Sequence, residues 1–301
     1  KPGKCEVNKR CRVAENCVAG QVVTMSPWMG LTRTLFEVSG PDARPFLQNI
    51  LTQDIDRLEK EGVVYSALLN PQGKVVTDMF VWLWHDGGAL LDVPPERATT
   101  LLTRLNMYKL RSQVSIAELD DRLGVVAMFE PDAGHDPRRP KGGFGARDLF
   151  ERETMPDLDD ALYSQWRIRL GAPDLAQDAA PEEVFAGEAL LEELNGVAFD
   201  KGCFVGQENV SRMKRRATTR KKFCPVVFEG EAIAYGTPVH AGEAEIGSIR
   251  TGVPGRAIAL LRLDRALEAV SSGKTLSAAG REVRLDPPPW LILPQREQGP
   301  Q

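Results

Sequence analysis

After Lys222 the chain changes texture, and no other feature constrains its fold as strongly. From Phe223 to Leu285, short runs of β-forming residues alternate with glycine-containing turns. The runs are Pro225–Phe228, Pro238–His240, Ile246–Thr251, Ala257–Leu263, Thr275–Leu276 and Glu282–Leu285. Regularly spaced short strands predict a small β-barrel. Pro287-Pro288-Pro289 closes the series.

Upstream, strand and helix periodicities alternate. Thr34–Val38, Val63–Leu69, Val75–Trp84, Ala89–Val93, Val114–Ile116 and Val125–Phe129 read as strands, with Asn70-Pro71-Gln72-Gly73 a turn between two of them. Phe46, Leu47, Ile50 and Leu51 fall at helical spacing after Ser39-Gly40-Pro41-Asp42, and Asp42 can cap the free N–H groups. Pro94-Pro95-Glu96 opens a second helix that turns Leu101, Leu102 and Leu105 inward. This strand–helix–strand–strand–helix–strand order suggests a split β-α-β sheet of ferredoxin-like type. The Pro-, Gly- and charge-rich stretch 131–145 marks a subdomain boundary. Further helices are expected over 157–169 and from Pro181, the latter burying Val184, Leu190, Leu191 and Leu194.

The length of 301 residues exceeds one core of about 100–150 residues, so several subdomains are expected. The division is 1–30 as a leader or non-native extension, 31–222 as two interleaved α/β subdomains, 223–290 as the barrel and 291–301 as a tail. The class is α+β. No apolar run approaches the ~20 residues of a membrane helix, so no membrane partner is expected. A net charge of −4 by itself predicts neither nucleic-acid nor membrane binding. Cys5, Cys11, Cys17, Cys203 and Cys224 contain no Cys-x-x-Cys pair, and the three histidines lie far apart. A zinc site is therefore not expected, and a reducing cytoplasm is the expected setting. The first 24 residues lack the apolar core of a signal peptide and read as a tag or misassigned start ahead of Met25 or Met29. The regular Cys5/Cys11/Cys17 spacing is the feature that favours a functional leader instead.

The densest chemistry lies in Lys201-Gly202-Cys203-Phe204-Val205-Gly206-Gln207-Glu208. Glycines serve where φ must be positive or where another group comes close to the backbone. A thiol beside a lysine in such a turn favours thiolate when exposed; the alternative is a small buried cysteine. Asp78, among valine, methionine and phenylalanine, either faces solvent on an alternating strand or faces a cavity. The run Arg212–Lys222 holds seven basic residues and no acid, a patch for phosphate, an acidic partner or simply solvent.

The octad resembles the signature of the YgfZ-like folate-binding proteins, which include mitochondrial iron–sulfur assembly factors and are related to the glycine cleavage T-protein. Gly40-Pro41-Asp42-Ala43 with Phe46-Leu47-Gln48, Asn70–Lys74 followed by Asp78, Tyr108-Lys109-Leu110-Arg111, and Arg167-Ile168 through Pro173 resemble further family pieces, in the family's order. The resemblance implies a cloverleaf of two interleaved α/β subdomains and a C-terminal barrel around one folate pocket. It implies Cys203 as the functional thiol and Asp78 as the acid near the folate's one-carbon unit. Tetrahydrofolate contacts would come from Glu208, Gln207, Lys201 and, for the glutamate tail, Arg111 and Arg212. Glu193 is a second pterin candidate, with a solvated helix face as its alternative. The T-protein's paired acids are reduced here to Thr77-Asp78, which weakens the case for aminomethyl transfer. The implied function is a folate-binding accessory protein for iron–sulfur cluster assembly or repair, with an indirect effect on tRNA-modifying enzymes and with assembly or client proteins as partners. No stable metal is expected. A tetrahydrofolate-dependent aminomethyltransferase and a tRNA-binding module using the basic patch remain the alternatives.

Overall fold

The computed structural model describes residues 28–130, 135–139, 141–216 and 219–294. Cys5, Cys11, Cys17 and the candidate start at Met25 lie outside the described residues. The other candidate start, Met29, lies in the first strand.

Three β assemblies form the framework. A three-stranded sheet joins β1 (Trp28–Leu31), β7 (Leu123–Met128) and β8 (Ala146–Glu151) in the order β1-β7-β8. A five-stranded antiparallel sheet contains β2 (Thr34–Ser39), β3 (Val63–Leu69), β4 (Val75–Leu83), β5 (Ala89–Val93) and β6 (Ser115–Glu118) in the order β3-β4-β5-β2-β6. The chain thus starts in one sheet, builds the other, and returns, which interleaves the two subdomains in sequence. The described fold includes Trp28–Gly30, inside the 1–30 segment expected to lie outside it, because β1 pairs along its length with β7.

The third assembly is a closed barrel ordered β10-β11-β12-β9-β14-β13. Its strands are β9 (Lys221–Phe228), β10 (Pro238–Ala241), β11 (Ala244–Val253), β12 (Arg256–Arg262), β13 (Leu276–Ala278) and β14 (Arg281–Leu285). Closure leaves no free edge between strands. Leu291 and Ile292, within the expected tail, join the fold: Leu291 is buried and the Ile292 carbonyl accepts a hydrogen bond from Lys222 Nζ at 2.9 Å.

Helices α1 (Ala43–Ile50) and α3 (Pro95–Lys109) cover one face of the five-stranded sheet, and α2 (Leu58–Glu61) is a single turn between them in sequence. Phe46, Leu47, Ile50, Leu101 and Leu105 pack there with Met79, Val81 and Leu91. Asp42 does not cap α1; its carboxylate accepts from Gln113 N instead, at 2.7 Å. Helices α4 (Asp160–Leu170) and α5 (Leu175–Asp178) follow β8, α6 (Gln207–Arg216) follows the octad, and α7 (Leu263–Ser271) interrupts the barrel. The helix expected from Pro181 is absent. Residues 181–195 form successive turns, with left-handed backbone at Glu182, Leu190 and Asn195. Val184, Leu190, Leu191 and Leu194 are nonetheless buried as expected. Apolar spacing identified what is inside, but the backbone closes separate local turns, such as Ala189 N to Phe185 O at 2.9 Å, and also bonds to the hairpin, as in Val75 N to Val184 O at 2.9 Å.

Candidate functional site

The octad is a turn seated on the β3–β4 hairpin. Gly206 has φ +81°, and a Cβ there would lie 2.6 Å from Asn70 O and 3.0 Å from Gly73 Cα. Only glycine fits. Asn209 Nδ2 adds a bond to Gln72 O at 2.5 Å. Lys201 anchors the other end: its ammonium donates to Gln48 O, Leu51 O and Gln53 O at 2.7, 2.8 and 2.9 Å. These carbonyls sit at or just past the C-terminal end of α1, where carbonyls lack helical partners and a cation is favoured. Burial pulls Lys201 down to about 8, with Asp54 and Asp56 acting against that drop. All three donors are committed, so Lys201 has none left for a ligand.

Between these anchors Cys203 is exposed, whereas Cys224 is sealed in the barrel and burial pushes its thiol up to about 12. Glu208 is exposed on the first turn of α6. The Gln207 amide donates to Gly202 O at 3.4 Å, and exposed Arg212 donates to Asn209 Oδ1 at 2.7 Å. Arg111 is exposed beyond α3, sharing a surface hollow with Asp42 and Ser112. Glu193 is not on a solvated helix face. It is buried, Lys222 Nζ donates to its Oε1 at 2.5 Å, and its Oε2 has no partner. Lys222 is thereby withdrawn from the basic patch, while Arg212, Lys214, Arg215 and Arg216 stay exposed along α6. A hollow beside the turn, lined by Gly73, Ala186, Phe199, Val210 and Met213, has a volume of about 30 Å³. Ligand pockets start near roughly 300 Å³, so this hollow does not take a pterin.

Asp78 lies in different surroundings. It points to the sheet face opposite α1 and α3, with Phe80 and Trp82 beside it along β4 and Tyr65 across on β3. Tyr65 Oη donates to Asp78 Oδ2 at 2.8 Å, while Oδ1 is buried without a partner. Burial raises the Asp78 carboxyl, and Asp174 raises it further. Tyr65 is held well above its usual value by burial and by Asp78. Next to them Asp92 receives Arg147 Nε at 2.9 Å and Arg33 Nε at 2.5 Å. Burial alone would raise Asp92; the two guanidinium groups hold it below the usual carboxylate range. Trp82 Nε1 and Arg147 Nη2 are buried on this side without partners. The structure therefore places Cys203 and Glu208 on the exposed turn, and Asp78, half-buried, among charged and aromatic side chains on one face of β4. Sequence reasoning missed Asp92 and Tyr65; an acid inside Leu90-Leu91-Asp92-Val93 was the same signal that singled out Asp78.

Comparison with known proteins agrees with this architecture. Residues 32–135 match the model of the GCVT N-terminal domain, and residues 220–292 match that of the CAF17 C-terminal beta-barrel domain. The glycine cleavage system aminomethyltransferase T from Bartonella henselae superposes with a TM-score of 0.68 over 88% of this chain and 86% of that one, at 15% identity. The fold is thus that of the T-protein type: interleaved α/β subdomains with a closed C-terminal barrel. In sequence, the chain is similar to the mitochondrial iron-sulfur cluster assembly factor IBA57 homolog of Pyricularia oryzae, 33% identical over 65% of this chain and 56% of that protein. It is also similar to the human mitochondrial iron-sulfur cluster assembly factor IBA57, 27% identical over 84% of this chain and 83% of that protein. The chain therefore spans little more than half the length of the fungal relative. Both relatives are mitochondrial by name, which overturns the cytoplasmic setting expected from cysteine usage.

Proposed function

We propose that this protein is a YgfZ-like, folate-binding accessory factor that supports iron–sulfur cluster assembly or repair. The observation that carries the reading is Cys203: an exposed thiol on a turn fixed at one end by Lys201 and at the other by Gly206, in a chain similar to named assembly factors. One thiolate cannot hold a cluster, for which about four thiolates are usual. Among the described residues no group of three or more His, Cys, Asp or Glu is placed to bind a metal. The cluster is therefore cargo, met by Cys203 together with ligands from an assembly or client protein. Exposed Arg212, Lys214, Arg215 and Arg216 next in the chain favour a partner with an acidic surface. An effect on tRNA-modifying enzymes would follow through their clusters.

Reduced folate is the ligand that suits the Asp78 face. A pterin edge presents adjacent N–H donors, and Asp78 Oδ1 is a buried acceptor without a partner. Trp82 Nε1 and Arg147 Nη2 are donors without acceptors on the same side. Such atoms are costly unless a ligand or water meets them. The neighbouring position holds Thr77, whose hydroxyl donates to Asp78 O, so the second acid of the T-protein's pair is replaced there by a hydroxyl.

Two measurements test this. Cys203→Ala, expressed in cells lacking the native gene, should fold normally and fail to restore cluster-dependent enzyme activity; full restoration ends the thiol role. Titration with tetrahydrofolate should change the fluorescence of buried Trp82, and Asp78→Asn should abolish the change. Methylenetetrahydrofolate formed from an aminomethylated carrier protein would favour the transferase instead.

A further inference from the structure

The end of α3 carries a feature that the fold itself does not use. Leu110, just past the last helical residue, has φ +44° and ψ −110°. A branched side chain in that backbone region is strained. No packing within the chain offsets the strain: Leu110 is 86% exposed, more than any other large apolar side chain among the described residues. Met107, three residues earlier, is 59% exposed. Lys109 and Arg111 flank Leu110, and among the described residues neither is in an ion pair. Asp42, on the rim of the same hollow of about 720 Å³, turns its carboxylate to Gln113 N instead.

This tip and the Cys203 turn are held to opposite ends of one helix. At the N-terminal end of α1, Gly40 has φ +109°, and a Cβ there would lie 2.4 Å from Gln113 O. Ser112 N donates to Lys109 O at 2.8 Å and closes the tip. At the C-terminal end, Lys201 holds the octad through the carbonyls of Gln48, Leu51 and Gln53. The 8 residues of α1 span about 12 Å. An interface of about 800 Å² per partner is roughly 30 Å across, so one partner that reaches Cys203 can cover both ends. The exposed residues of α1 between them, Pro45 and Asn49, carry no charge.

We propose that Met107–Arg111 is a docking knob for the protein that meets the cluster together with Cys203. Leu110 and Met107 enter an apolar recess on that partner, and Lys109 and Arg111 meet acidic residues around it. The inference rests on the accessory-factor reading. An apolar centre inside a charged rim is the usual anatomy of an interface. The partner gives Leu110 the apolar contacts it lacks in the free chain, and the flexible thioether of Met107 adapts to the recess. The exposed cations of α6 have the same sign as this rim, so both ask for an acidic surface.

Full-length variants are expressed at graded levels in cells lacking the native gene. The readout is cluster-dependent enzyme activity, with the urea midpoint of each purified variant as control. Leu110→Asp should need about tenfold more protein than wild type for half restoration, because weaker docking is compensated by mass action. Cys203→Ala should fail at every level. Leu110→Gly relieves the backbone strain, so it should keep or raise the urea midpoint and still show the shift in activity. Leu110→Met should behave as wild type. Restoration by Leu110→Asp and Leu110→Gly at wild-type levels, with Cys203→Ala inactive, overturns the knob and leaves the thiol reading standing. Full restoration by Cys203→Ala sinks both. If Leu110→Asp does not fold, Met107→Asp is held to the same outcomes, as is Leu110→Gly. A photoreactive benzophenone residue in place of Met107 identifies the occupant. A crosslink to a protein with cluster-ligating cysteines supports the proposal. A crosslink only to a second copy of this chain or to proteins without such ligands, or no crosslink, overturns it.

Discussion

Lys201→Met gives the sharpest test of how the octad is held. The substitution keeps the aliphatic stem and deletes an ammonium that donates to three carbonyls within 2.9 Å. Hydrogen bonds to charged groups contribute about 1.5–3 kcal/mol each. Taking the low end for a partly exposed site gives a gross loss near 4.5 kcal/mol for three. Relief from holding a cation in a partly buried place, visible in its lowered pKa, offsets part of that loss. Water reaching the vacated carbonyls offsets more, so a net destabilisation of about 2–3 kcal/mol is expected. Lys201→Arg should recover little, since a planar fork does not converge on three carbonyls as a tetrahedral ammonium does. The assay is urea unfolding followed by tryptophan fluorescence, reading the midpoint at unchanged slope. Reactivity of Cys203 toward a thiol reagent serves as a local readout and should rise in Lys201→Met. A loss under about 0.5 kcal/mol, the scale of ordinary surface changes, would refute the view that this lysine staples the turn to α1.

Other consequences are as direct. Gly206→Ala should lower stability by more than the about 1 kcal/mol of a simple glycine replacement, since its Cβ meets Asn70 O; thermal unfolding checks this, and a neutral result means the hairpin contact yields. Asp78→Asn should stabilise the protein near neutral pH. The folded-state pKa of Asp78 is raised by burial, so its protonated form favours the native state at low pH and that contribution is lost as pH rises through the folded value. The stability gap between wild type and variant should therefore widen from acid toward neutral pH, and a flat gap contradicts the burial argument. Lys222→Met strands the buried Glu193 carboxylate and should cost about 3–5 kcal/mol, with Glu193→Gln in the same chain recovering part of it in chemical denaturation.

Much of the fold was legible in the sequence because pattern and local chemistry agreed. The strands of the five-stranded sheet and barrel fell where alternation and glycine turns put them, since side-chain period reports directly on which face is buried. The 181–195 segment departed from its expected helix because apolar spacing records burial, not backbone path, and here the backbone closes separate local turns and also bonds to a distant hairpin. Helices α6 and α7 escaped notice for a related reason. The charge of Arg212–Arg216 masked a single buried anchor, Val210, and the α7 segment lies inside a run otherwise read as strands.

What the sequence alone determined about this protein is the strands of its five-stranded sheet and barrel and the glycine-flanked turn that carries Cys203: both follow from residues close together in the chain. What only the tertiary structure decided is where charge could be tolerated. Lys201 went to the end of α1, Lys222 to Glu193, and Arg138 over Phe80, pairings that span from 29 residues to more than a hundred. A buried ion needs a partner in space, and no local pattern in the chain says which distant group will supply it.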